Sequence, residues 1–382
     1  MKIPTNKRTK FILILILILA FISLFFLDIQ KSRIFLEPQN TPREVEPPDS
    51  KPENNQDIQV ILTKLNIPWE IVFLTKDSFL ITERPGRVKL YSKNQLSNEY
   101  KLSEVFHIGE GGLLGAEKHP DFEHNQYLYF YLTYKKGTSI LNKVDRYKLT
   151  NNKLQFNKTI IDNIPGAVFH DGGRIKFGPD NYLYITTGDA GNAQSAQDIN
   201  RLSGKILRLT DEGSIPEDNP FNNAVFSYGH RNPQGLAWDS NKQLWITEHG
   251  PSGLQSGFDE VNKIIKAGNY GWPEIKGDEE KPGMMKPFIH SGSEDTWAPS
   301  GAVIVNNYLF FAGLRGSAIY RLNLETKQLK EFYKNQLGRI RTIAVDIEEN
   351  FYILTSNTDG RGDPKENDDK LIKINKTLLI NN

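Results

Sequence analysis

Apolar and polar positions alternate along most of this chain, and the alternation comes in six passages of one shape. They are PWEIVFLTKDSFLITERPGR from Pro68, HPDFEHNQYLYFYLTY from His119, HDGGRIKFGPDNYLYITTGDAG from His170, NPQGLAWDSNKQLWITEHGP from Asn232, SGAVIVNNYLFFAGLRG from Ser300 and RTIAVDIEENFYILTSNTDG from Arg341. Each reads as a short apolar strand, a polar turn and a second strand rich in Leu, Tyr, Ile and Thr, the period-2 signature of a pleated sheet. They recur every roughly 40 to 65 residues, a period that points to propellers and other repeat arrays. The predicted fold is therefore all-β, a six-bladed β-propeller over residues 58–380, with about four strands to a blade. A β-sandwich is the alternative, and so regular a recurrence disfavours it. Leu324 to Gly338 is read as holding a short helical turn, and KENDDK, residues 365–370, as a solvated loop. A propeller brings loops from distant parts of the chain to one face, so residues far apart in sequence can share a site.

The first residues follow a different pattern. Lys2, Lys7, Arg8 and Lys10 precede FILILILILAFISLFFL, an uninterrupted apolar run over residues 11–27. A basic flank and an apolar run approaching ~20 residues suit a signal anchor or a signal peptide within residues 1–30. Asp28, Ile29, Gln30 and Lys31 come next, with no small-x-small cleavage site, which favours an uncleaved transmembrane helix. Residues 31–57 read as a flexible Pro/Glu/Asn-rich linker. The expectation is an extracytoplasmic domain, periplasmic or at the cell surface, tethered to the membrane by its N-terminal helix.

Composition removes several classes of function. The net charge of +1 over 382 residues gives no electrostatic case for nucleic-acid binding. The absence of cysteine excludes disulfides, thiolate metal sites, a Cys nucleophile and an acylated Cys. It leaves oxygen and nitrogen ligands for any metal.

Candidate chemistry sits in the turns. His170 opens a strand and is followed by Asp171, Gly172, Gly173 and Arg174; the glycines permit close approach of a backbone or ligand. Imidazole suits proton transfer near neutral pH, and a turn histidine with a structural hydrogen bond is the plainer reading. The segment from Tyr228 to Gly235 packs donors and acceptors between strands, as a polar ligand or an Asn/Pro turn requires. EHGP, ending at Pro251, leads into a Gly/Ser loop and then DEVN from Asp259; exposed carbonyls and carboxylates are the ligands a hard cation such as calcium takes, and a plain solvated loop is the alternative. Arg339 and Arg341 are two apart and share one face of a strand, with Arg315 in the preceding repeat. Gathered guanidinium groups repel one another unless they face an anion, and they clamp carboxylates well.

Taken in order, PWEIVFL, TERPGRV, GEGGLLG, HPDF, HDGGRIKFGPDNYLYITTGDAG, GHRNPQGLAW, EHGP with DEVN, GNYGWP, APSGAV, GLRG and RIRTIAVD resemble the pyrroloquinoline quinone (PQQ)-dependent sugar dehydrogenases, the soluble glucose and aldose sugar dehydrogenase group. The resemblance covers roughly residues 60–375. It implies a six-bladed propeller with PQQ on its top face, oxidation of an aldose at C1 to the lactone, and electrons passed on to an external acceptor. It places His170 as general base, and Arg231, Asn232, Arg315, Arg339 and Arg341 with Glu110 at the cofactor. It places calcium (Ca2+) at the Gly250 and Pro251 carbonyls, and a second ion at Glu260 and the Tyr270 carbonyl, completed by Asp278 or Glu280. Trp297 is expected to line the sugar pocket. Three departures stand out. Glu110 replaces the usual Gln, and a carboxylate beside a polyanionic quinone costs energy unless it is protonated or paired with Arg or calcium. Phe169 stands where the glucose-specific branch has Asp, which favours the broader aldose branch. The loop from EHGP to DEVN is also longer than in close relatives. The competing functions are a noncatalytic glycan- or protein-binding propeller and a calcium-dependent lactonase-like hydrolase. A homodimer is left open.

Overall fold

In the computed structural model, residues 57–251 and 257–381 are described. They form six separate four-stranded antiparallel sheets, the expected six-bladed propeller and not a two-sheet sandwich. The innermost strands are Pro68–Thr75, Leu113–Lys118, Ile175–Phe177, Pro233–Trp238, Pro299–Val305 and Ile340–Val345; neighbouring ones pack against each other around the axis, except that Pro233–Trp238 meets blade three through Leu183–Thr187. Within blades one to five the strands run outward in sequence order. Blade six is closed from both ends of the domain: Ile58–Leu62 pairs with Leu371–Ile374, with Ile58 opposite Ile374 and Leu62 opposite Leu371.

The core lies between neighbouring blades, because each sheet has two faces to bury. Tyr129 and Tyr131 of blade two meet Ile175, Ile185 and Leu207 of blade three. Ile71 and Phe79 of blade one meet Leu354 and Leu371 of blade six, which closes the ring.

A polar plug fills the axis. Arg174, 1 % exposed, lies with its guanidinium 4.0 Å from the Trp69 ring centroid. It pairs with Glu70 and donates to the Gln234 carbonyl at 2.9 Å and to Thr342 Oγ1 at 3.1 Å. Four blades are thereby tied to one side chain, and the plug forms the floor of a cleft on the face above.

Two local expectations are corrected. The stretch from Leu324 to Gly338 contains the strand Leu329–Phe332, the outer edge of blade five, where pairing with Ile319–Asn323 overrides any helical tendency. The end of KENDDK is not solvated: Asp369 is 0 % exposed and accepts from Thr355 Oγ1 at 3.1 Å and from the Asn357 amide at 2.5 Å. The apolar run 11–27 and the linker lie outside the described residues, apart from Asp57. Among the described residues no helix is long and apolar enough to cross a membrane.

Candidate active site

Two sets of turns build the upper face. One set leads into the innermost strands and carries Glu110, His170, Arg231 and Arg339; the other follows the second strands and carries Arg84, Asp189, His249, Arg315 and Arg361. Together they enclose a cleft of about 490 Å³ lined by Glu110, His170, Arg231, Arg315, Arg339 and Arg341, with Gly250 and Pro251 on one wall. Such a volume is ordinary for a small-ligand site.

His170 adopts a left-handed backbone, φ 62°, and its ring is held from behind. Its Nδ1 lies 2.8 Å from Asp189 Oδ1. Asp189 also accepts from the Gly191 amide at 2.8 Å and, through Oδ2, from Trp272 Nε1 at 2.8 Å. Burial alone would raise the Asp189 pKa, but the hydrogen bond and charge of His170, with the other donors, leave it lowered. An ionised Asp189 accepts the hydrogen bond that Nδ1–H donates, which keeps the proton on Nδ1 and leaves Nε2 with the free lone pair. The carbonyl of His170 is boxed in as well: a Cβ at Gly188 would stand 1.9 Å from it, so only glycine fits there.

The guanidinium groups differ in how they are held. Arg339 donates to Asp359 Oδ2 at 3.0 Å and to the Ser356 carbonyl at 3.2 Å. Among the described residues Arg341 has no carboxylate partner; it donates to Gln234 Oε1 at 3.1 Å and Ser300 Oγ at 3.3 Å, and its Nε finds no partner among them. Burial, reinforced by the nearby Arg84, pushes it down to about 9. His249 is likewise pushed down to about 4 by burial, and its Nε2 has no partner among the described residues. Arg315 is exposed at the rim. A buried cation without an anion, beside unpartnered N–H and imidazole nitrogen atoms, is an arrangement that a multiply anionic, hydrogen-bonding ligand would complete.

A family model described as Glucose / Sorbosone dehydrogenase matches residues 65–372. The chain belongs to the glucose/sorbosone dehydrogenase family. The aldose sugar dehydrogenase of Escherichia coli is 30% identical over 347 residues, covering 79% of this chain and 91% of that protein. The quinoprotein glucose dehydrogenase B of Acinetobacter calcoaceticus is 35% identical over 268 residues, 60% of this chain and 55% of that one. The PQQ-bound aldose sugar dehydrogenase from Streptomyces coelicolor superposes with a TM-score of 0.76 at 34% identity, covering 83% and 97% of the two chains.

Not every expected site residue of this dehydrogenase faces the cleft. Asn232 lies beneath the wall, 0 % exposed; its Oδ1 accepts from the Gly172 amide and from Gln234 Nε2, both at 3.1 Å. Trp297 is a correction: it is 4 % exposed and packs against Phe311 and Tyr320, while its neighbours Thr296 and Ala298 face the cleft. Trp297 precedes the strand that begins at Pro299, and Ala298 beside it has a left-handed backbone, φ 43°, so strand alternation does not set the face of Trp297. Glu260 and Tyr270 lie outside the cleft, in a small void behind Gly250 and Pro251 that also holds Glu248. Burial and the charge of Glu248 raise the Glu260 pKa to about 8. Glu280 is corrected too: it is exposed and pairs with Lys286 at 2.5 Å, while Asp278 pairs with His290 at 3.1 Å. Among the described residues no group of three or more His, Asp or Glu side chains forms a metal cluster, so any cation there depends on carbonyl oxygens as well.

Sequence reasoning passed over Arg361, Asp189, His249 and Asp359. The last three lie inside the quoted repeats, in GDAG, EHGP and TSNTDG. The available signal was positional: each follows the second strand of its blade, as Arg315 does.

Proposed function

We propose that the protein is a PQQ-dependent aldose dehydrogenase that oxidises the anomeric carbon to the lactone and passes two electrons to an external acceptor. One observation carries the reading: the imidazole of His170, aligned by Asp189, opens on the same cleft as Arg231, Arg315, Arg339 and Arg341. The residues fit the cofactor, since among the described residues Arg341 Nε and His249 Nε2 are buried without partners and Arg341 lacks a counter-carboxylate. When bound, the quinone supplies the acceptor for the hydride leaving C1. His170 Nε2 takes the proton of the anomeric hydroxyl, and Asp189 steadies the imidazolium that results. Arg339 and Arg341 hold the carboxylates of the cofactor. The plug of Arg174, Glu70 and Trp69 closes the cleft from below, so the sugar enters from the top face.

Calcium is the proposed companion ion. Gly250 and Pro251 line the cleft, where their carbonyls would hold one ion, and Glu260 with the Tyr270 carbonyl would hold a second in the void behind them. The apolar run 11–27, with its basic flank, is proposed to anchor the domain outside the cytoplasm. Recovery of the full-length protein in the soluble fraction would contradict the anchor.

The test of the activity is spectroscopic. Quinone and calcium added to the purified domain are expected to give a shifted cofactor absorption, which an aldose then bleaches without oxygen. A cofactor spectrum identical to that of free quinone would remove the proposal.

A further inference from the structure

One ion pair crosses the cleft between blades that are far apart in sequence. Glu110 lies in the turn leading into the innermost strand of blade two, and Arg361 follows the second strand of blade six. Arg361 Nη1 stands 2.5 Å from Glu110 Oε1. The other carboxylate oxygen, Oε2, accepts the backbone N–H of His170 at 2.9 Å. One carboxylate is thus bound at once to a loop across the cleft and to the main chain of the candidate base. Both side chains line the cleft; that of Glu110 is 20% exposed and that of Arg361 is 56% exposed. The Arg361 amide donates to Asp359 Oδ1 at 3.0 Å, and Asp359 Oδ2 in turn accepts from Arg339 at 3.0 Å, which ties the loop to the strand's entry turn.

Glu110 faces the cleft as an anion. Burial would raise its pKa, but the charge and hydrogen bond of Arg361, with the His170 amide, hold it at about 2. Bare, that charge would repel any polycarboxylate brought into the cleft. Paired, it is cancelled where the ligand must sit, and the pair still keeps the His170 turn in register.

We propose that Arg361 is a cofactor-positioning residue that acts through Glu110, neutralising it so that this cleft accepts an anionic quinone although a carboxylate lines its wall. The inference rests on the quinone reading above. It also assigns this chain a linked pair: an acid at position 110 requires the arginine at position 361, whereas an amide at 110 does not.

The experiment is a double-mutant cycle read as quinone affinity, by quenching of protein fluorescence with calcium present. Arg361→Gln is expected to raise the dissociation constant about tenfold or more, since it leaves an unpaired carboxylate facing an anion. In the Glu110→Gln background the same change is expected to alter it less than about twofold, because the amide is uncharged and its carbonyl oxygen still accepts the His170 N–H. Arg361→Lys, which keeps the charge, is expected to recover most of the affinity. Melting curves of all variants check the fold, which substitution at a half-exposed side chain leaves intact. An equal loss in both backgrounds would mean that Arg361 acts directly and not through Glu110, and no loss in either would mean that the pair is irrelevant; both overturn the inference. If the unmodified protein binds no quinone, the cofactor reading falls and takes this inference with it.

Discussion

His170 is fixed at three atoms: its amide by Glu110, its Nδ1 by Asp189, its carbonyl by the turn at Gly188. Its neighbour Asp171 shows how much charge this face tolerates. Asp171 is 2% exposed, accepts from Asn142 Nδ2 at 3.0 Å and from the Ala167 amide at 3.1 Å, and leaves Oδ2 without a partner. Burial, with the charge of Glu110 acting in the same direction, outweighs those bonds and raises its pKa to about 6. Between the unfolded value near ~3.9 and the folded one, the native protein holds one more proton than the unfolded chain. The stability that this neutral carboxyl contributes is therefore complete below pH ~4 and lost as the pH rises through about 6. It is on the order of 2–3 kcal/mol. Urea unfolding across pH 4 to 7 should show this loss in the unmodified protein and its absence in Asp171→Asn. Parallel pH profiles would contradict it.

At the scale of strands and turns, the sequence was legible where alternation was clean. The apolar positions of PWEIVFL and NYLYITT announce strands whose faces both bury, and those strands are present as Pro68–Thr75 and Leu183–Thr187. It was not legible where the phase breaks. The pairing of Pro299–Val305 shifts register between Pro299 and Ala302, and the side chains just before that irregularity, Trp297 among them, cannot be assigned a face by counting. Arg361 was hidden for another reason: its partner is 251 residues away, and only closure of the ring brings them together. Turn glycines carry a prediction of their own. A methyl group at Gly188 must displace the His170 carbonyl, whose oxygen would be 1.9 Å away. Gly188→Ala should lower sugar oxidation by about a hundredfold through a displaced base, while quinone affinity changes little. Unaltered turnover in steady-state assays would show that the turn does not set the position of the imidazole.

At the scale of the whole molecule, ring closure is what makes the site. The strand Ile58–Leu62 supplies the outer edge of blade six, the same blade that contributes Arg339, Arg341 and Arg361. Deleting residues 57–63 removes four paired positions and leaves the edge of Leu371–Ile374 bare. Calorimetry should find the melting temperature lower by roughly 10 °C, and an unchanged value would show that closure does not depend on this strand. The central claim is that turns from separate blades form one redox cleft, with His170 as its base. Anaerobic single-turnover absorbance of the quinone-loaded protein, unmodified and His170→Gln, tests it most directly. Both proteins are expected to bind quinone equally, with bleaching by the aldose slowed about a thousandfold in the variant; bleaching at the unmodified rate in His170→Gln would remove His170 from that role.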